Sequence, residues 1–433
     1  MKQIYKGTVI TSKSLSELTV MENAYVIVED GIIADVKEEL KEEEKRLEVI
    51  DFQKDLIIPA FSDLHIHAPQ YNQRGIGMDA LLFDWLNNYT FPNEARYKEY
   101  EFARKIYAQL IRDMLRNGSL QASLFTTIHY EASDLLFHML MDAHMDAYLA
   151  KVNMDRNSPD YYVETTEKSL EETERFVAEH LHLSKNIKPI LTPRFAPTCS
   201  KELMLGLGEI AKKYDVGVQT HLVESKAESA WTKQLFPEYN SDGRIYEMCH
   251  LLEGKGPHIF AHVIFPEEEE YRILKEYDCI SVHCPDATNN VIAGIMPAKQ
   301  MAINGYKIAM GTDVGGGHFM GVYTQIAKAI QLSKMKEFYE ETDCTLHLKE
   351  AFYMATVNGG EAFDRVGKIE KGYRFQALVI SGFDEDGYTL SPLEKLERFC
   401  YTGTYKNIKK RYANGIEIDP DRIYEDLLRK YQR

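Results

Sequence analysis

The sequence predicts an α/β protein: a (β/α)8 TIM-like barrel carrying a small β-sandwich domain formed from both termini. Three observations lead there. Short apolar, β-branched runs alternate with amphipathic helical stretches through the middle of the chain. Both ends are β-rich and carry tight-turn dipeptides. Polar residues suited to chemistry fall at the C-terminal ends of the apolar runs, where barrels of this kind hold their active sites.

Residues 1–58 read as short strands. "AYVIVEDGIIADV" (24–36) is a strand, an Asp-Gly turn and a second strand, a strong hairpin signal. Similar material returns from residue 366 in "GKIEKGYRFQALVIS" and in "KKRYANGIEI" with its Asn-Gly turn. Residues 1–58 and 366–433 are therefore expected to form one composite domain around a barrel of residues 59–365. Barrel strands are expected near 57–66, 122–129, 146–152, 187–193, 216–222, 257–263, 279–284 and 306–313. "YEFARKIYAQLIRDMLRNG" is a helix that Gly118 should end, and "EETERFVAEHLHL" is another. The charge runs at 38–48 and 267–270 read as a solvated loop and the start of a surface helix. An open doubly wound sheet is the rival architecture, but no Gly-rich phosphate loop follows an early strand.

The 433 residues suffice for one large domain and a smaller one, and 44% hydrophobic with 27% charged residues is ordinary for a globular protein. A net charge of -16 argues against nucleic-acid or anionic-membrane partners, which select basic faces. No apolar stretch approaches the roughly 20 residues of a membrane span, and "MKQIYKGTVI" lacks the apolar core of a signal peptide. The six cysteines form no CxxC pair or framework, which fits free thiols in a reducing cytoplasm.

His65 and His67 end the first barrel strand, and their i, i+2 spacing puts both on one face. His221 ends the fifth strand, His262 the sixth, and Asp313 the eighth, with His283 on the seventh. Each has a bland reading: a chance pair, a hydrogen-bonded rim histidine, a turn with a capping aspartate. Together, imidazoles and a carboxylate on converging strand ends suit Zn2+ or Fe2+. Glu224, three residues past His221, could serve as the base such a site needs, or could cap the next helix.

These residues resemble the metal pattern of the amidohydrolase superfamily. Within it the chain is similar to the guanine deaminases in "LHIHAPQY", "LLFDWLNNYTFPNEARY", "TTEKSLEETERFV", "KPILTPRFAPTCS", "HLVES", "SVHCP" and "GTDVGGG". The resemblance implies one divalent metal ion, Zn2+ or alternatively Fe2+, held by His65, His67, His221 and Asp313. It implies Glu224 as proton shuttle, with His262 and Asp313 assisting at the attacking water. It implies contacts to a small-molecule purine from Gln70, Trp85, Leu86, Arg194 and Phe195, beside His221 and Glu224, and a homodimer. Arg194 offers fixed donors to a carbonyl, and Phe195 can flank a flat ring.

The expected reaction is hydrolysis of guanine to xanthine and ammonia by a metal-activated water. Alternatives are a related aminohydrolase acting on 8-oxoguanine or another aminated heterocycle, or a non-catalytic assembly protein on the same scaffold. "HCPDATNN", Pro59-Ala60 and Gln376-Ala377 depart from the family pattern. Lys151, late in the third strand, could bridge two metals in carbamylated form as in some superfamily members. The Glu224 shuttle favours one metal and a structural Lys151.

Overall fold

The strands and tight turns of both chain ends and the helical periodicity between strands in the middle are realised in the computed structural model, which describes residues 2–383 and 388–433. The first four strands are β1 (Lys2–Ser14), β2 (Glu17–Glu29), β3 (Ile32–Lys37) and β4 (Val49–Pro59). The barrel strands follow as β5 (Phe61–His67), β6 (Ser119–Phe125), β7 (Asp146–Ala150), β8 (Val152–Asn153), β9 (Ile187–Pro189), β10 (Thr192–Pro193), β11 (Val218–Leu222), β12 (His258–His262), β13 (Ile280–His283) and β14 (Lys307–Met310). Strands β15 (Ala377–Ile380), β16 (Ile408–Ala413) and β17 (Ile416–Glu417) return to the first four.

The terminal strands form one seven-stranded sheet in the order β17-β16-β15-β4-β1-β2-β3, so the two layers expected of a sandwich are here parts of one continuous sheet. Alternation divides its faces. Ile57, Ala377 and Val379 pack with Tyr5, Phe52, Phe375 and Tyr412 in the sheet's own core. Their neighbours Leu56, Ile58, Leu378 and Ile380 belong to the core shared with the barrel. The Asp-Gly and Asn-Gly turns take the left-handed conformations that such hairpins need, with φ of 49° and 83° at Asp30 and Gly31 and of 52° and 78° at Asn414 and Gly415.

In the barrel, β5, β6, β7 and β9 pair in parallel, as do β11, β12, β13 and β14. Leu191 pairs with Val218 to join the two halves. At the other seam Asp313 N–H donates to the His65 carbonyl at 2.8 Å and His67 N–H to the Val314 carbonyl at 2.8 Å. The third and fourth barrel strands are each interrupted where one unbroken strand was expected: at Lys151 between β7 and β8, and at residues 190–191 between β9 and β10. Pro189 ends β9, and proline has no N–H to continue a ladder.

The helix Tyr100–Arg116 is followed by Gly118 at φ 81°, as its sequence predicts. Glu267 opens the helix Glu268–Glu276 with a capping box completed by Glu270. The charge run at 38–48 departs from a fully solvated loop. Glu44 is buried, pairs with Lys37 at 2.7 Å and accepts from Lys41 N–H at 2.8 Å. Two lysines from the strands, Lys2 and Lys37, draw that carboxylate inward.

Helix Lys201–Tyr214 meets the 249–250 turn at Gly208, where an added Cβ would lie 2.0 Å from the Cys249 carbonyl oxygen. At Gly206 the obstacle is the side chain of Leu170, which can rotate. Gly208→Ala is therefore expected to cost about 2 kcal/mol or more of stability, and Gly206→Ala distinctly less. Urea denaturation midpoints of the two variants compare them, and equal, small shifts would refute the backbone clash.

Candidate active site

Four strand ends converge at the C-terminal mouth of the barrel. β5 delivers His65 and His67, β11 delivers His221, β12 ends on His262, and Asp313 lies three residues beyond β14. The chain turns sharply after each late strand. Val223, His262, Val263 and Asp313 all sit at positive φ, between 45° and 74°, a conformation that is costly for residues with a Cβ. Reciprocal hydrogen bonds hold the turns. Glu228 accepts from Glu224 N–H at 2.9 Å and closes a capping box with Ser225. Asp63 accepts from both Thr312 N–H (2.9 Å) and Thr312 Oγ1 (2.6 Å), tying β5 to the residue before Asp313.

The side chains meet in a buried cluster. His65 Nε2 lies 3.3 Å and His67 Nε2 3.4 Å from Asp313 Oδ1, and His67 Nε2 lies 3.2 Å from His221 Nε2. His221 Nδ1 is 2.6 Å from the Arg194 carbonyl, which fixes the proton there and turns the Nε2 lone pair toward His67. His65 Nε2 is buried with no hydrogen-bond partner. Donors at about 2.0–2.2 Å from one tetrahedral ion stand roughly 3.3–3.6 Å apart. The distances of 3.2, 3.3 and 3.4 Å lie at or just under that spacing, and facing lone pairs want a cation between them. The donor set fits one divalent ion.

Burial shapes the charge of this cluster. It pushes the His65 ring down to about 3, helped by the Arg194 cation. Burial and then the neighbouring rings put His67 and His221 well below the usual imidazole value. The carboxyls move the other way. Asp313 is raised by burial, and Glu224 is raised to about 8 by burial and by the Asp313 charge, against the pull of Arg194. Glu224 Oε2 lies 3.6 Å from His262 Nε2, which is 3.8 Å from Asp313 Oδ2. A carboxyl poised near neutrality beside a metal-type cluster can hold a proton or release it.

Above the cluster is a pocket with about 540 Å³ of empty space including its open mouth. All the expected substrate residues line it: Gln70, Trp85, Leu86, Arg194, Phe195, His221 and Glu224. Phe195 meets His221 edge-on at 6.3 Å, and Trp85 is anchored by its indole N–H on the Ile76 carbonyl at 3.0 Å. Arg194 does not stand free as a donor fork. Its guanidinium is gripped by Glu94 at 2.8 and 3.2 Å. Glu94 also accepts from Gln70 Nε2 (2.7 Å) and the Tyr162 hydroxyl (2.8 Å), while Gln70 Oε1 accepts from Gly315 N–H (3.2 Å). The amide of Gln70 is thus held in one orientation.

Glu94, Tyr162 and Trp231 were not singled out in the sequence. Trp231 packs edge-on against both Phe83 and Phe195. Glu94 lies in "FPNEARY", where nothing local distinguishes it from a surface acid; its partners are 24, 68 and 100 residues away. His283 is buried at the end of β13 and lowered to about 4 by burial. The departing segment after it acts on the Asp313 loop: Asp286 accepts from His318 N–H at 2.9 Å and Asn290 donates to the Gly316 carbonyl at 2.8 Å. Lys151 is buried against Glu164 at 2.5 Å and lies outside the pocket lining, in the structural role expected of it.

The profile of the amidohydrolase family matches residues 56–416. The guanine deaminase of Dictyostelium discoideum is 34% identical, covering 96% of this chain and 98% of that protein. The human guanine deaminase is 32% identical, covering 96% of each. A crystal structure of guanine deaminase from C. acetobutylicum with guanine bound in its active site superposes with a TM-score of 0.94 at 41% identity, covering 97% of this chain and all of the other.

The buried rings carry a direct expectation. An ordinary imidazole is largely protonated at pH 5.5, whereas His65, His67 and His221 in the metal-free protein should remain neutral there. Imidazole 15N shifts of the metal-free protein, assigned through single variants, measure this. Titration of these rings near pH 6.5 would overturn it.

Proposed function

This chain belongs to the amidohydrolase family, and from that premise we propose that it is a metal-dependent guanine deaminase, converting guanine and water to xanthine and ammonia. One observation carries the reading: a single pocket sets His67, His221 and Asp313 of the His3Asp donor cluster against a wall of Arg194, Gln70, Trp85 and Phe195, which together suit a flat, polar purine. Full-length similarity to guanine deaminases supports the same substrate.

His65, His67, His221 and Asp313 would hold one divalent ion, Zn2+ or alternatively Fe2+, both of which suit this ligand set. When bound, the ion supplies Lewis acidity, lowering the pKa of a water ligand from about 15.7 toward 7. Glu224 takes a proton from the attacking water on its carboxylate and passes it to a ring nitrogen beside the amine-bearing carbon. The water oxygen bonds to that carbon. The remaining proton of the added hydroxyl, carried by the same carboxylate to the amine nitrogen, lets the C–N bond break and ammonia leave while the carbonyl forms. His262, within 3.6 Å of Glu224 and 3.8 Å of Asp313, holds the water in line. Arg194 and Gln70 orient the purine so that the amine carbon rather than the carbonyl carbon faces the donors. Glu94 acts through them, keeping the guanidinium and the amide aimed.

The proposed setting is the cytoplasm, supported by six buried, unpaired cysteines. Among the described residues no helix is long and apolar enough to cross a membrane. The proposed assembly is a homodimer, from the family resemblance. Light scattering should return twice the chain mass of 49.9 kDa, and a monomer would remove that part of the reading.

Two variants separate the roles. Glu224→Gln should retain the metal and lose about 10²-fold or more in kcat, the scale of a lost general acid–base. Glu94→Gln replaces one acceptor oxygen with a donor facing Arg194, Gln70 or Tyr162. It should raise KM for guanine about tenfold or more, the equivalent of one charge-assisted hydrogen bond, with a smaller loss in kcat. Steady-state ammonia release and metal content are the measurements. Wild-type protein loaded with metal but inert on guanine would sink the substrate assignment.

A further inference from the structure

A different cluster lies on the outer helical ring, between the helix Tyr130–Asp142 that follows β6 and the helix Thr166–His180. Asp134 and His138 stand one turn apart on the first helix, and His180 ends the second. Asp134 Oδ1 is 2.9 Å from His180 Nε2 and 3.4 Å from His138 Nε2, so both rings converge on the same oxygen. The three donor atoms lie within 4.8 Å of one another.

His180 is held as a ligand would be. Its ring is buried, stacks on Phe176 at 4.2 Å and packs against Phe137 at 4.4 Å. Its Nδ1 is 2.7 Å from the Phe176 carbonyl, which commits that nitrogen as the donor. With Nδ1 donating there, a proton or a metal cation must lie between Nε2 and the Asp134 carboxylate 2.9 Å away. A proton between His180 and Asp134 serves one ring. A cation serves both rings and the carboxylate at once. Asp134 and His138 are 38% and 39% exposed in their side chains, leaving the outer side of the cluster open to solvent for entry and for water ligands. The neighbouring cation Lys430 is engaged by Asp142 at 2.7 Å.

We infer that Asp134, His138 and His180 form a divalent-cation site separate from the active site, taking a borderline ion such as Zn2+ and tying the two helices together. It does not depend on the deaminase reading. The site has three protein ligands and open positions for water, so it should fill and empty with the surrounding ion concentration.

The test uses the full-length protein with its active-site metal in place. Equilibrium dialysis against micromolar Zn2+, followed by elemental analysis, should give two ions per chain for the wild type. His138→Ala and Asp134→Asn, both at half-exposed positions, should give one. Added Zn2+ should raise the Tm of the wild type by a few degrees, as binding to the native state requires, and this rise should vanish in both variants. Activity on guanine, measured after removal of unbound Zn2+, should be the same in all three. One ion per chain in the wild type, or a second ion that survives in both variants, would overturn the site and leave a His180–Asp134 ion pair.

Discussion

Everything functional in this molecule depends on the seam where the barrel closes. β5 and the segment after β14 are remote in sequence, yet Asp313 N–H bonds to His65 and His67 N–H to Val314. The Asp63 carboxylate adds two bonds to Thr312 across the same seam, and burial lifts it to about 7 even as those bonds pull it down. These contacts bring a histidine pair from the first strand and a carboxylate from the last within 3.4 Å. A parallel barrel makes such an encounter obligatory, because its first and last strands must be neighbours. The same stretch of chain joins the barrel to the terminal sheet, since β4 runs through Pro59 and Ala60 into β5. The sheet therefore buttresses the strand that carries the donor pair.

The cluster is built of groups that repel until something joins them. Three rings kept neutral and a carboxyl pushed upward describe a site with low charge when empty, which limits its cost to the fold. Placing the positive Arg194 on the pocket wall deepens the effect on the rings while restraining Glu224. Glu94 neutralises that cation in turn, so the arginine can stand in a buried wall at all. Donor cluster and substrate wall form one electrostatic unit.

What the sequence disclosed follows from which interactions are periodic or local. The barrel was legible because buried parallel strands leave apolar runs and the helices between them leave amphipathic ones. The hairpins were legible because Asp-Gly and Asn-Gly state their own backbone conformations. His65 and His67 were visible as a pair two residues apart, and the remaining donors as polar endings to apolar runs. Glu94 and Tyr162 were not visible, since what makes them functional is a set of partners far along the chain. Glu44 was misread for a related reason: a run of acids looks solvated until lysines from two strands close over one member. The joining of the terminal strands into one seven-stranded sheet was hidden because alternation reports which face a residue takes and not which strands are neighbours.

The division of labour between strand ends and loops also explains why specificity is the harder property to read. Donor positions must project from rigid strand termini, so they fall where the apolar pattern stops. Recognition of a purine needs donors and acceptors around a flat ring, and under the proposed function these would come from the 3-10 turn after β5, the short helices at 82–94 and the turn after β10. Such segments have no period. Their side chains are aligned by one another, as Glu94 aligns Arg194 and Gln70 and as Gly315 N–H fixes the amide of Gln70. Gly315 belongs to the same loop as Asp313, so the amide proposed to read the purine is hydrogen-bonded to the backbone that carries the proposed donor carboxylate. A shift of that loop would misplace the donor and the reader together. Asp286 and Asn290, in the segment where the chain departs from its family's pattern, are the residues that hold it still.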